Sequence, residues 1–159
     1  WMHIIGNMWF LTVFGDNVED SMGHVRFIIF YLVCGLAAAA LQIAFTPDSL
    51  LPMIGASGAI GGVMGAYVRL YPQVRVHLLI IFGFWIRTIA VPAFVMLGYW
   101  FLVQVLGGFG SVGSSAGGTA FWAHIGGFAA GLVLVPLFAQ EKLVNAHPYH
   151  RALRRRRER

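Results

Sequence analysis

The sequence predicts an all-α membrane protein, a polytopic helical bundle, on three observations. Of 159 residues, 58% are hydrophobic and only 11% charged, whereas a soluble domain carries about a quarter of its residues as charges. Residues 88–140 contain no Asp, Glu, Lys or Arg, so lipid is the expected solvent there. Finally, the uncharged runs divide into pieces close to the ~20 residues needed to cross a bilayer. This composition excludes a cytosolic enzyme.

Each predicted element follows from where those runs stop. Residues 1–14 form a short apolar segment ending at Gly15-Asp16. Residues 27–45 make an uncharged span, and residues 49–68 make another that ends against Arg69 and Pro72. Residues 74–87 are apolar but too short to cross, flanked by arginines and interrupted by His77. They predict an interfacial segment leading into the next helix, with a re-entrant loop as the alternative. The long run after Arg87 is broken at residues 107–119 by six glycines and three serines, leaving spans at 89–106 and 120–138. Five helices are therefore expected, the first cut short. The chain starts at Trp1 with no basic leader or cleavage site, and is expected to be a piece of a longer protein.

The net charge of +5 has a location. Everything from Glu141 onward carries the whole excess, while acidic and basic residues balance before it. This divides the chain into a transmembrane domain, residues 1–140, and a basic tail, residues 141–159. All eleven Lys and Arg residues fall at one end of the predicted helices, and the positive-inside rule makes that end cytoplasmic. The expectation is a multi-pass protein of the plasma (inner) membrane with its C-terminus inside. The tail reads as a topology anchor touching anionic lipid headgroups, worth about 1 kcal/mol per basic residue, and not as a nucleic-acid site. One cysteine, Cys34, excludes an intramolecular disulfide framework and a Cys-based zinc cluster, and packing is its expected role.

Strongly polar groups inside spans are costly and mark interiors or cavities. Those noted here are His3 and Asn7, which share a helix face at i and i+4, Ser57, Gln104 and His124. The topology puts His3, Asn7, Ser57 and His124 at outer ends of their segments. Ser57, Gly61 and Gly65 lie on one face of the third segment, and His124, Gly127 and Gly131 on one face of the last. Small residues at such spacing let helix backbones touch in lipid, and docking the two faces brings Ser57 to His124. A serine beside a histidine is a nucleophile with its general base. Asn7, His3, the Ser57 backbone N–H and Gly58 are candidate donors to an oxyanion. With no Asp or Glu in any predicted span, the constellation is a dyad. The bland alternatives are serine as packing, His3 and Asn7 as an interhelical hydrogen bond, Gln104 as structural, and solvated roles for His24, His77, His147 and His150. No metal site or cofactor is expected: a His-Glu-x-x-His zinc motif is absent, as is a Gly-x-Ser-x-Gly elbow.

Taken together, His3-x-x-x-Asn7-Met8, Gly55-Ala56-Ser57-Gly58-Ala59-Ile60 and Ala123-His124-Ile125-Gly126-Gly127-Phe128-x-x-Gly131 resemble, in that order, the rhomboid intramembrane serine proteases. The resemblance extends to about Phe138. It implies Ser57 as nucleophile, His124 as general base, and Asn7 with His3 in the oxyanion pocket. It also implies cleavage of transmembrane protein substrates, admitted sideways from lipid into a cavity open to the outer side. The family core has six spans, so five are visible here, without the first span and the outer loop that carries a Trp-Arg motif. Four residues after the serine many relatives have an aromatic that stacks on the histidine. This chain has Gly61, so the resemblance leaves open what orients His124. Two readings of other classes stand beside it: a catalytically inactive rhomboid-like protein that binds or escorts membrane clients, and a proton or metal transporter using His3 and His124.

Overall fold

The computed structural model describes residues 1–49, 55–111 and 119–157, the side chains of 156 and 157 excepted. Residues 50–54 of the third predicted segment, 112–118 of the Gly/Ser connection and 158–159 of the tail lie outside this description. The element order is α1 (Met2–Met22), α2 (His24–Phe45), α3 (Ser57–Leu70), β1 (Arg75–Phe82), β2 (Trp85–Pro92), α4 (Ala93–Gly110), α5 (Phe121–Phe138), α6 (Glu141–Ala146) and α7 (Pro148–Arg157).

The helical bundle is as expected, and its details differ where hydropathy alone set a boundary. Helix α1 does not stop at Phe14 but continues through the acidic residues to Met22. Phe14, Gly15, Val18, Ser21 and Met22 form its buried stripe, so one face stays apolar while Asp16 and Asp20 remain exposed on the other. Helix α3 begins only at Ser57, because Gly55 has φ +128°, a conformation outside the helical region. Its 14 residues span about 21 Å at 1.5 Å each, short of the ~30 Å hydrocarbon core.

Three described helices are long and apolar enough to cross a membrane: α2, α4 and α5, with mean hydropathies of 2.3, 1.6 and 1.7. Their outward residues are large and apolar, for example Ile28, Leu32 and Leu36 on α2 and Tyr99, Leu102 and Leu106 on α4. Apolar faces of this extent on helices of spanning length suit lipid. This is a multi-pass membrane protein.

Residues 74–87, expected as an interfacial segment leading into a helix at Ile89, have a regular structure of their own. They belong to an antiparallel hairpin in which Arg75 pairs with Pro92 and Phe82 with Trp85, and α4 consequently starts at Ala93 rather than Ile89. The β-branched residues Val76, Ile80, Ile81, Ile86, Thr88, Ile89 and Val91 suit strands. Gly83, at φ +57°, fills the first turn position, where a two-residue hairpin needs positive φ. Ala93 N–H to Val74 O (2.8 Å) and Phe94 N–H to Pro72 O (3.0 Å) tie the hairpin base to α4.

Two arginine side chains satisfy carbonyls of α5 that lack an intrahelical donor: Arg26 donates to the terminal Phe138 O (3.3 Å) and Arg69 to Leu132 O (3.1 Å), which Pro136, without an N–H, leaves open. The tail is not simply solvated. Gln140 N–H reaches Ser21 O and its side chain reaches Met22 O, turning α6 and α7 back onto the ends of α1 and α3. His147 Nε2 donates to Asn17 Oδ1 (3.1 Å), because its Nδ1 already accepts the Tyr149 N–H (3.3 Å). The rings of His147, Tyr149 and His150 pack around Tyr71 at 4.7, 5.6 and 5.4 Å. Burial holds both histidines below the usual imidazole range; Asp20 partly opposes this at His147, and His147 and Arg154 reinforce it at His150.

The undocked tail, with ordinary histidines, binds protons more readily than the docked one. Docking is therefore full above about pH 6.5 and weakens as pH falls below it. A spin label at Ala152 should gain mobility between about pH 7.5 and about pH 5, and this gain should disappear in a His147→Gln/His150→Gln protein.

Candidate active site

Glycine brings the two central helices into backbone contact. A β-carbon built at Gly127 would collide with the Gly58 carbonyl, one at Gly131 with the Gly62 carbonyl, and one at Gly65 with the Phe128 carbonyl. At Gly61 it would lie 3.1 Å from His124 O. The α3 face touching α5 therefore includes Gly58 and Gly62 besides the Ser57–Gly61–Gly65 row. Gly62 also lies against Cys34 of α2, so this stripe serves two neighbours, and Cys34 is a buried packing residue.

This contact sets Ser57, the first residue of α3, beside His124, in the first turn of α5. Ser57 Oγ lies 2.9 Å from His124 Nε2. The other ring nitrogen, Nδ1, lies 2.8 Å from Gln104 Oε1 of α4. One turn earlier on α4, the Trp100 ring sits 5.6 Å from the imidazole at 37°. The aromatic neighbour of His124 thus comes from α4, and the place beside it on α3 is left to Gly61. The α5 N-terminus is pinned as well: Ala123 N–H donates to Gln42 Oε1 of α2 (3.0 Å), and Trp122 stacks on Phe45 at 3.7 Å.

His3 and Asn7 converge on the loop before the serine. A β-carbon at Gly55 would stand 2.6 Å from His3 Nε2 and 3.6 Å from Asn7 Nδ2, so a side chain there would displace the His3 ring. Ser57 and Gly58 open α3, where backbone N–H groups have no intrahelical acceptor. Side-chain donors from α1 and backbone donors from α3 therefore approach the same end of the nucleophile's helix. Beside Ser57, between α2, α3 and α5, lies a cleft of about 490 Å³ whose lining includes Gly35, Ala38, Ala56, Ser57 and Ala123. Among the described residues, no three His, Cys, Asp or Glu side chains gather as a metal site would require.

Sequence reasoning passes over two contributors. Gln104 is noticed as a polar residue in a span and assigned to structure, yet its side chain is on His124; Gln42, equally polar and equally within a span, is omitted. The signal in both cases is the cost of a carboxamide in lipid.

The rhomboid domain model matches residues 1–141. The chain belongs to the rhomboid family. Among its relatives is the rhomboid protease GluP of Bacillus subtilis, 32% identical over 124 residues, 78% of this chain and 23% of the relative. The RHOMBOID-like protein 4 of Arabidopsis thaliana is 27% identical over 84% of the chain and 29% of its own length. The mitochondrial rhomboid protein 1 of Saccharomyces cerevisiae is 29% identical over 60% of the chain and 30% of its own length. The chain spans less than a third of each of these rhomboid relatives. No solved structure matches it.

Proposed function

We propose that this rhomboid protein is an intramembrane serine endopeptidase that cleaves peptide bonds in or next to transmembrane helices of other membrane proteins. The observation that carries the proposal is the 2.9 Å contact between Ser57 Oγ and His124 Nε2 at the N-terminal end of α3. Ser57 Oγ attacks the scissile carbonyl carbon while its proton passes to His124 Nε2. The oxyanion of the tetrahedral intermediate accepts hydrogen bonds from the Ser57 and Gly58 N–H groups and from Asn7 and His3. Collapse breaks the C–N bond, and the amine leaves with the proton from His124. Water, deprotonated by His124, then hydrolyses the acyl-enzyme and restores Ser57. The small residues lining the neighbouring cleft leave room for a substrate chain beside the nucleophile.

The same proposal assigns residues 1–140 to the protease domain and 141–159 to a cytoplasmic tail whose arginines meet anionic headgroups. It places the protein in the plasma membrane with the site opening to the outer face. No cofactor, metal or nucleic acid enters it. The full-length protein in liposomes should cleave a model transmembrane substrate and take up a fluorophosphonate on Ser57; absence of both would defeat the assignment. Asn7→Ala should lower kcat/KM by about 10²–10³, the usual cost of one oxyanion donor, without changing the melting temperature in detergent. An unchanged rate would mean that the backbone donors suffice.

A further inference from the structure

We infer that Gln104 is a positioning residue for the Ser57–His124 pair, its amide dictating which nitrogen of His124 faces the nucleophile. This rests on the protease assignment above and goes beyond it by supplying a third member from α4.

The chain of constraint begins in the α4 backbone. Gln104 Nε2 lies 3.2 Å from Trp100 O, and a carbonyl oxygen only accepts, so the NH₂ end of the amide must face it. The oxygen end is then the one 2.8 Å from His124 Nδ1. An amide oxygen also only accepts, which requires the proton on Nδ1. A neutral imidazole protonated there presents its lone pair on Nε2, the atom 2.9 Å from Ser57 Oγ. Turning the amide over would set its oxygen against the Trp100 carbonyl and its NH₂ against Nδ1, giving up both bonds. Gln104 is 6% exposed, leaving little access for water to replace either partner.

An acidic residue holds this position in the three-member arrangement of soluble serine proteases. In a bilayer a carboxylate would cost the burial of a charge, whereas a carboxamide supplies the same acceptor while remaining neutral. When His124 takes the serine proton, both ring N–H groups have work: Nδ1–H stays on Gln104, and Nε2–H is directed at the leaving amine. Trp100, at i−4 on the same face of α4, flanks the ring and limits its rotation. This answers what orients His124 in a chain with Gly61 at the stacking position.

The test uses the full-length protein in liposomes, with kcat and KM on a transmembrane model substrate and the rate of fluorophosphonate labelling measured together. Gln104→Met keeps the length and apolar packing but has no acceptor for Nδ1–H. Its kcat and labelling rate should fall roughly 10²–10³-fold with KM unchanged, while the melting temperature drops only by what one lost buried acceptor costs. That is milder than the ~10⁴ caused by locking the wrong tautomer, since methionine favours neither. Gln104→Glu, with its carboxyl neutral in the bundle, sets its hydroxyl on Trp100 O and its carbonyl oxygen on Nδ1, and should keep kcat within about tenfold of wild type. A purely structural role predicts the reverse order, with methionine tolerated and a buried carboxylate harmful, and that order overturns the proposal. Independently of variants, the ¹⁵N spectrum of the His124 ring should show a protonated Nδ1 and a bare Nε2, and a protonated Nε2 overturns it too. If Gln104→Met works as well as wild type while Ser57→Ala is dead, Gln104 alone is misassigned. A wild-type protein that neither cleaves nor labels instead removes the protease assignment itself.

Discussion

Ser57→Ala is expected to abolish cleavage of a transmembrane substrate and all fluorophosphonate labelling, while the protein keeps its melting temperature. The size follows from what remains without the nucleophile. Removing the attacking serine from a serine protease leaves only binding and oxyanion stabilisation, a loss of roughly 10⁴–10⁶ in kcat. At 1.36 kcal/mol per tenfold, that is about 5–8 kcal/mol of barrier. Little fold energy is at stake. Ser57 opens α3 without a side-chain capping bond to the helix, and the hydroxyl it loses contacts His124. His124→Ala should fall as far in rate by removing the proton acceptor, yet it also strips Gln104 Oε1 of its partner inside the bundle, so some stability should go with it. The two variants therefore separate: equal loss of activity, unequal loss of stability. Cleavage by Ser57→Ala at the wild-type rate would mean that another group attacks, and the family membership would then describe an ancestry and not this chemistry.

The parts legible in the sequence were those enforced by lipid. A serine and two histidines in uncharged runs stand out because each is expensive there, and the glycine rows stand out because backbones can meet only where side chains are missing. What was not legible depends on rotation about a helix axis or on a single dihedral angle. Nothing in residues 93–110 says that Gln104 turns toward His124 and not toward another helix; α4 packing decides it. Nor does the uncharged run before Arg69 reveal that Gly55 takes a positive φ and makes Ser57 the first helical residue. Run length alone ends helix α1 at Gly15-Asp16, whereas the periodicity of Phe14, Val18, Ser21 and Met22 carries it on to Met22. The hairpin shows the same blindness. A short apolar run reads equally as strand or helix, and only the crowding of β-branched residues around Gly83 distinguishes it. Tail histidines that look solvated in one dimension pack on Tyr71 because Gln140 turns the chain back.

Gly131→Ala is the substitution expected to show that the site depends on helix contact and not on Ser57 and His124 alone. Gly131 lies nearly two turns beyond His124 on α5, far from the reacting atoms, yet its missing β-carbon is what lets the Gly62 carbonyl of α3 approach. The obstacle is backbone, which cannot rotate aside as a side chain could. One methyl group must therefore push α3 and α5 apart, by something on the order of 1 Å. Overpacking of this kind costs about 1–3 kcal/mol, visible as a lower melting temperature in detergent. The Ser57–His124 hydrogen bond spans the same interface at 2.9 Å and would lengthen with it. A displacement near 1 Å can cost about 10²-fold in rate, so activity should fall more steeply than stability. Gly98→Ala is the control, since a β-carbon at Gly98 meets nothing within 4 Å. That change relieves a helical glycine and should leave activity unchanged while gaining up to about 1 kcal/mol. If Gly131→Ala matched Gly98→Ala in both melting temperature and kcat, the two helices could not be in backbone contact. The route from glycine spacing to the Ser57–His124 pair would then fail at its first step.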